Sequence, residues 1–235
     1  MKILIASDIH GSAKYCKMLL DAYRREGAER MLLLGDILYH GPRNDLPEEY
    51  APKRVIEMLN AIKNEIYAVR GNCEAEVDRM VLGFPVLADY ALIPIGEKMI
   101  FATHGHVYNR DNLPPMKSGD ILLHGHTHIP ACERFGECIY MNPGSVSLPK
   151  NNSPHGYMTL EENDAGENPG GVISDGVVLD FGMLPGQDFC NETAAAEPQR
   201  KRRESETTLA EPQHKKHDGN SSTASLWTFR WKKLV

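Results

Sequence analysis

Disulfide frameworks, membrane spans and repeat architectures all lack the residues they would need in this chain. Its 235 residues include five cysteines, Cys16, Cys73, Cys132, Cys138 and Cys190, an odd number with no Cys-x-x-Cys pair. That argues against a disulfide scaffold or a zinc knuckle and for a reducing compartment. No apolar run approaches the roughly 18 residues of a membrane helix. The opening Met1-Lys2-Ile3-Leu4 has no charged and then apolar leader before it, so a cytoplasmic protein without a membrane partner is expected. Positive charge is scarce and unevenly spread. The formal net charge is −6, and residues 190–235 hold nine Lys/Arg against six Asp/Glu, which leaves about −9 on the rest. An acidic body disfavours broad binding of duplex nucleic acid, although bound divalent cations would reverse the sign locally. Small phosphorylated substrates suit it better.

The chain does carry a series of short aliphatic runs, each the length of a buried strand: Ile3–Ala6, Met31–Leu34, Ile66–Val69, Met99–Ala102 and Ile121–Leu123. Between the first two, Ser12 reads as an N-cap, Met18, Leu19, Ala22 and Tyr23 fall at helical spacing, and Gly27 is the stop. A second helix opens at Pro52 and carries Val55, Ile56, Leu59 and Ile62. Alternating strands and helices imply an α/β fold with right-handed crossovers. Beyond Phe101 the helical signal fades. Cys138–Met141 and Tyr157–Leu160 are later strands, and Gly171–Phe181 can form a hairpin around Ser174-Asp175-Gly176. The polar composition of residues 191–225 cannot offset chain entropy by burial. The expected organisation is therefore one domain over 1–185 followed by a disordered, basic tail over 186–235. Trp227 and Trp231 in that tail read as a short docking segment or as solvated residues.

The chemistry lies just beyond the end of each strand. The runs lead into Asp8-Ile9-His10-Gly11, Gly35-Asp36, Gly71-Asn72, His104-Gly105 and Gly125-His126-Thr127-His128. Five strand ends thus each deliver a metal-capable side chain, and ligands of open α/β sheets bind beyond those ends. Oxygen donors and imidazoles, with no thiolate required, suit manganese, iron or zinc. Seven donors are too many for one ion, whereas two ions sharing a carboxylate use them and leave room for water and a phosphate oxygen.

In order and spacing these blocks resemble the calcineurin-like metallophosphoesterase superfamily over about residues 1–160. His40-Gly41-Pro42-Arg43-Asn44, Arg70-Gly71-Asn72-Cys73-Glu74 and Asn142-Pro143-Gly144-Ser145 are similar to its YfcE-type phosphodiesterase subgroup. The resemblance implies a four-layer αββα sandwich of two facing mixed sheets flanked by helices. It also implies two divalent metal ions, manganese first, with zinc, iron or nickel as alternatives. Asp8, His10, Asp36 and His128 would hold one, and Asp36, Asn72, His104 and His126 the other. Asp36, Asn72 and His104 are then the catalytic candidates, and the reaction is hydrolysis of a small phosphodiester by water that the metals activate.

Arg43, His106 and Cys73 are the candidate substrate contacts. Arg43 offers a fork of donors to a phosphate or is a solvated loop residue. His106 and His40 could orient a ligand or the substrate. His124, by strand alternation, should point away from the metals. Many superfamily members carry His after Gly-Asn, where it is thought to protonate the leaving group; here Cys73 stands there and reads as filling space rather than attacking. A rival reading is a non-catalytic scaffold, as in the retromer subunit of the same fold. A nuclease would want a capping domain and basic surfaces that this sequence lacks. A homo-oligomer is compatible with everything above.

Overall fold

In β1 (Lys2–Ala6), Ile3 and Ile5 point to one side, Leu4 and Ala6 to the other, and all four are buried. A strand apolar on both faces must be covered on both. The computed structural model, which describes residues 1–163, 172–174, 177–180 and 226–235, meets that need with two sheets packed face to face. Strands β1, β2 (Arg30–Leu33) and β3 (Ile66–Ala68) run parallel. They are linked through α1 (Ala13–Arg25) and α2 (Pro52–Asn60), and a one-turn helix, α3 (Asp78–Val81), comes after β3. The chain then builds a second sheet from β4 (Tyr90–Ile95), β5 (Lys98–Thr103), β6 (Ile121–Leu123), β7 (Pro130–Phe135) and β8 (Cys138–Pro143), in the order β4-β5-β6-β8-β7. It returns to the first sheet with β9 (Gly156–Asn163), the hairpin of β10 (Val172–Ser174) and β11 (Val177–Asp180), and β12 (Leu226–Lys233). That sheet is ordered β10-β11-β12-β9-β1-β2-β3.

Helix α1 starts where expected, with the Tyr15 N–H donating to Ser12 Oγ at 3.3 Å. Leu19, Ala22 and Tyr23 bury its apolar face against Leu4, Ala6 and Leu33 of the first sheet, as do Val55 and Leu59 of α2. Ile5, Leu32, Ile100, Ala102, Leu123, Met141 and Leu160 fill the space between the sheets. On the outer side of the second sheet, Phe101, Leu122 and Tyr140 are covered by Tyr108 and Met116. The two facing sheets of the calcineurin-like sandwich are present, with α1 and α2 on the outer side of the first. Among the described residues the outermost layer over the second sheet is the 104–120 segment, whose Pro114, Pro115 and Asn-centred turns deny it helical hydrogen bonds.

The hairpin expected around residues 171–181 forms as β10 and β11, paired antiparallel. Strands β4 and β7 were not expected, and the proposed tail needs a correction. Residues 226–233 are a strand inserted between β9 and β11, antiparallel to the first and parallel to the second. Trp227, Phe229 and Trp231 enter the core between the sheets, and the Trp231 indole N–H donates to the Pro143 carbonyl at 2.9 Å. The other face carries charge. Arg230 pairs with Glu161 at 3.2 Å and Lys232 with Glu26 at 2.6 Å, so these basic residues neutralise acidic ones of the body. The rest of the expected tail, residues 186–225, lies outside the described residues.

Three large aromatic side chains are each worth about 1.5–3 kcal/mol in burial alone, so β12 matters on the scale of the roughly 5–15 kcal/mol that holds a domain folded. Deleting residues 226–235 should therefore lower the melting temperature of the chain by more than about 10 °C or leave it insoluble. Thermal unfolding followed by circular dichroism checks this, and a truncated chain that melts within about 2 °C of the full one would refute it.

Candidate metal centre

The C-terminal ends of β1, β2 and β3 in one sheet and of β5 and β6 in the other meet at one edge of the sandwich, and all seven expected residues converge there. His10 Nε2 lies 3.5 Å from Asp8 Oδ1 and 3.7 Å from Asp36 Oδ2. His128 Nε2 is 3.3 Å from Asp8 Oδ1 and 3.3 Å from His10 Nε2. On the other side of Asp36, His104 Nε2 is 3.5 Å from Asp36 Oδ2 and 3.1 Å from Asn72 Oδ1, and His126 Nδ1 is 3.1 Å from His104 Nε2. Asp8, His10, Asp36, His104 and His128 are buried, whereas His126 is half-buried and Asn72 exposed.

The hydrogen bonds behind these imidazoles fix which nitrogen faces the cluster. The Nδ1 atoms of His10, His104 and His128 lie 2.7, 2.7 and 2.6 Å from the carbonyl oxygens of Tyr39, Leu34 and Leu148. A carbonyl only accepts, so each Nδ1 carries the proton, and in the neutral ring Nε2 turns a bare lone pair inward. Those lone pairs face carboxylate oxygens, and Asp8 Oδ1 is buried with no donor among the described residues. Two imidazole lone pairs 3.3 Å apart beside a carboxylate repel unless positive charge sits between them. The donor set therefore fits divalent cations. Without cations, protons take that role. Burial opposes a charge on His104, but Asp36 and Asp8 outweigh it and raise its pKa to about 9. Burial likewise opposes ionisation of Asp8, yet His10 and His128 hold its carboxyl well below the usual range. His126, with burial and His104 both against a charge, falls to about 4.

Five of the seven residues sit in left-handed backbone conformation: Asp8 (φ 60°), His10 (49°), Asp36 (53°), His126 (64°) and His128 (63°). Such a conformation costs a non-glycine residue roughly 1–2 kcal/mol, and it persists only where the surroundings impose it. Here they do. His10 N–H donates to the Asp36 carbonyl at 2.9 Å and Asp8 N–H to the Gly35 carbonyl at 3.1 Å, which locks the two loops together. The close approach leaves no room for a side chain at Gly71, where a Cβ would collide with Asp36 Oδ1, or at Gly125, where it would collide with Ser7 Oγ.

Sequence reasoning named Glu74 only as part of a motif. The structure gives it a supporting position: its buried carboxylate accepts the backbone N–H groups of Asp36, Ile37 and Gly71 at 2.9, 2.7 and 2.5 Å, tying the loop after β2 to the loop after β3. Burial and the nearby Asp36 push its pKa to about 7, against the pull of those three donors. Ser145 and Ser147 were also missed as contacts. Both hydroxyls donate to the Asp8 carbonyl, at 2.9 and 3.1 Å, and Asn142 Nδ2 donates to the Gly125 carbonyl at 2.8 Å. Only the Asn-Pro-Gly-Ser signature pointed toward them.

The remaining candidates divide. Arg43 and Cys73 line a cavity of about 310 Å³ together with Asp36, Asn72, His126 and His128, and Lys150, which the sequence did not flag, joins them. His106 is exposed, with its ring 5.5 Å from that of His104 and 6.3 Å from that of His126. His40 instead packs between Tyr39 and Tyr50. His124 comes one residue after β6 and lines a different cavity.

Residues 1–165 match the calcineurin-like phosphoesterase superfamily domain. The chain belongs to that superfamily. Phosphodiesterase YfcE of Escherichia coli K12 is 45% identical over 163 residues, covering 69% of this chain and 89% of that protein. The probable metallophosphoesterase YsnB of Bacillus subtilis is 27% identical over 177 residues, covering 70% and 87%. The solved structure of E. coli YfcE, described as a phosphoesterase, superposes with a TM-score of 0.67 at 46% identity over 70% of this chain and 90% of that one. As a calcineurin-like phosphoesterase, the chain has the two-sheet sandwich its strands require. No helix among its described residues is long and apolar enough to cross a membrane.

Protons and cations compete for the same lone pairs, which gives a signature in stability. His104 has a folded pKa of about 9 against an ordinary 6.5, so the stability it contributes is complete below about pH 6.5 and is lost as pH rises through about 9. For a shift of that size the loss is on the order of 3 kcal/mol. The metal-stripped protein should thus melt several degrees lower at pH 9.5 than at pH 6.5. The cation-loaded protein should show no such fall, because the cation replaces the proton. Parallel melting curves across that range test this, and a stripped protein equally stable at both pH values would contradict it.

Proposed function

We propose that the chain is a metal-dependent phosphodiesterase acting on small phosphodiesters. One divalent cation would lie among Asp8, His10, Asp36 and His128, a second among Asp36, Asn72, His104 and His126, and Asp36 would bridge them. The observation that carries this reading is the set of inward lone pairs, each backed by a backbone carbonyl on the far side of its ring. Cations held there would supply Lewis acidity toward phosphate oxygens and acidify a bound water. Manganese is the first expectation from oxygen and imidazole donors, with zinc, iron or nickel as alternatives. The name of the relative YfcE, a phosphodiesterase, supports the same class of reaction.

The chain's own residues supply binding and orientation. Arg43 and Lys150 line the mouth of the site; the guanidinium fork and the ammonium would grip the non-bridging phosphate oxygens. Asn72, held against His104, would present its amide oxygen inward, and His106 would lie on the substrate side. Cys73 is no nucleophile here, because burial and Asp36 push its thiol pKa up and a neutral thiol attacks poorly. A scaffold for protein assembly is the weaker reading, since all seven donors are present in the sequence. Cys16, Cys73 and Cys138 are free thiols, which fits the reducing, cytoplasmic setting we propose.

Stripped protein should be inert toward bis(4-nitrophenyl) phosphate and recover turnover with manganese. Asp36→Ala should lose both activity and at least one ion by metal analysis, because it removes a ligand common to both. Full activity in excess chelator with an empty site would sink this reading. A second expectation comes from Cys73. With no imidazole at that position to protonate the departing oxygen, aryl esters should outrun matched alkyl esters by at least about 10²-fold in kcat/KM. Cys73→His should narrow that gap. Equal rates on both ester types would instead assign the acid to His106.

A further inference from the structure

Four histidines feed the proposed cation sites, and three of them are anchored through the ring. His10, His104 and His128 each have a backbone carbonyl behind Nδ1. His126 differs. It presents Nδ1 to the cluster, 3.1 Å from His104 Nε2, and among the described residues no hydrogen bond holds the other side of its ring. It is also half-buried where the other three are buried. The direction of this ring is therefore set by the backbone that carries it, which lies in the left-handed region at φ 64°.

One peptide plane governs that direction, the one joining Gly125 to His126, and it is gripped at both ends. Its N–H, from His126, donates to Asp8 Oδ2 at 3.1 Å. Its carbonyl, from Gly125, accepts from Asn142 Nδ2 at 2.8 Å and from the Thr127 N–H at 2.7 Å. Asn142 lies on β8, is completely buried, and reaches the same loop a second time at Thr127 Oγ1, 3.0 Å from Nδ2. The Tyr140 hydroxyl stands 3.2 Å from the same nitrogen. The amide cannot turn over, because Asn142 Oδ1 accepts the Gly144 N–H at 2.8 Å, so only its NH2 can face Gly125. Asp8 belongs to the cluster itself. Asn142 is the grip that comes from outside it.

We infer, resting on the two-cation reading above, that Asn142 is the positioning residue of His126 and sets how tightly the cation among Asp36, Asn72, His104 and His126 is held. That cation also has the exposed Asn72 as a donor, so its ligands are the less fixed by burial. His128 sits on the same loop but is secured separately by the Leu148 carbonyl at 2.6 Å. The cation among Asp8, His10, Asp36 and His128 therefore does not depend on Asn142. Without the Asn142 amide, the Gly125 carbonyl keeps only the Thr127 N–H, the peptide is free to relax from its disfavoured conformation, and Nδ1 turns off the cation. Partners that orient a ligand are worth about 10–100-fold in metal affinity.

Asn142→Asp in the full chain tests this. It keeps the volume and the acceptor for the Gly144 N–H but sets a carboxyl oxygen against the Gly125 carbonyl. Manganese titration of the stripped protein, by calorimetry and electron paramagnetic resonance, reads the two sites. The native protein should take two ions and give the broadened signal of a coupled pair. The variant should bind the first ion with native affinity, bind the second at least about tenfold more weakly, and lack the coupled signal at two equivalents. Its turnover should recover as manganese is raised, with KM for the diester unchanged, a rescue that damage to the fold alone does not give. Asn142→Ser, whose hydroxyl is too short to reach Gly125, should behave likewise and serves if the aspartate variant does not fold. His126→Ala is the reference, since it removes the same donor outright. Equal weakening of both ions, or native affinity for both, would overturn the role of Asn142 while leaving the phosphodiesterase reading intact. Selective loss of the second ion in the variants, with no diester hydrolysed even by the native protein, would uphold Asn142 and refute that reading. A native protein that binds fewer than two ions would overturn this role and the two-cation reading together.

Discussion

Two carboxylates, Asp8 and Asp36, are buried within one small volume, and neither can stay ionised there without positive charge beside it. The rest of the site answers that constraint. Imidazoles surround the pair, carbonyls behind the imidazoles keep their protons outside, and Glu74 knits together the loops that carry the carboxylates. Asp8 is held by its own backbone as well, since Ser145 and Ser147 both reach across from the turn after β8 to its carbonyl. The centre is thus defined as much by the grip on its backbone as by the seven inward side chains. A cluster so loaded with acceptors is complete only with cations or protons in it.

Much of this is legible in the residues alone. The aliphatic runs of β1, β2, β3, β5 and β6 are continuous because those strands are buried on both faces, and a metal-capable residue after each is a pattern that composition alone does not produce. Strand β4 escaped because it is an edge strand with Pro94 inside it and alternate residues exposed. Strand β7 opens on Pro130 and mixes Glu133 and Arg134 with its apolar residues. In β12 the alternation of Trp227, Phe229 and Trp231 with Thr228, Arg230 and Lys232 is a clear half-buried strand, but the polar stretch before it made the aromatics read as stray. Glu74 could not be recognised as a clamp from its letter in a motif, because its role depends on three backbone groups from two separate loops converging on it.

The left-handed conformations of Asp8, His10, Asp36, His126 and His128 show where the fold concentrates unfavourable backbone energy. The sheets beneath are conventional and well packed, so they can hold five disfavoured turns at one edge. The arrangement fixes the direction of these side chains in advance, so the binding of cations we propose would need little reorganisation. It also narrows the choice of replacement at these five positions: a β-branched residue would be strained there on backbone grounds, whatever its side chain could coordinate.

The position of β12 has a kinetic consequence. Strand β9 has as its two neighbours β1, at residues 2–6, and β12, at residues 226–233, so the middle of the larger sheet is assembled from segments far apart in sequence. Contacts of such separation form late, because the entropy of closing long loops is lost before the pairing rewards it. Until β12 arrives, one edge of β9 is an unpaired row of backbone donors and acceptors beside uncovered Met158 and Leu160, a template for pairing between chains. Yield on refolding is therefore governed by protein concentration during the interval before that strand docks.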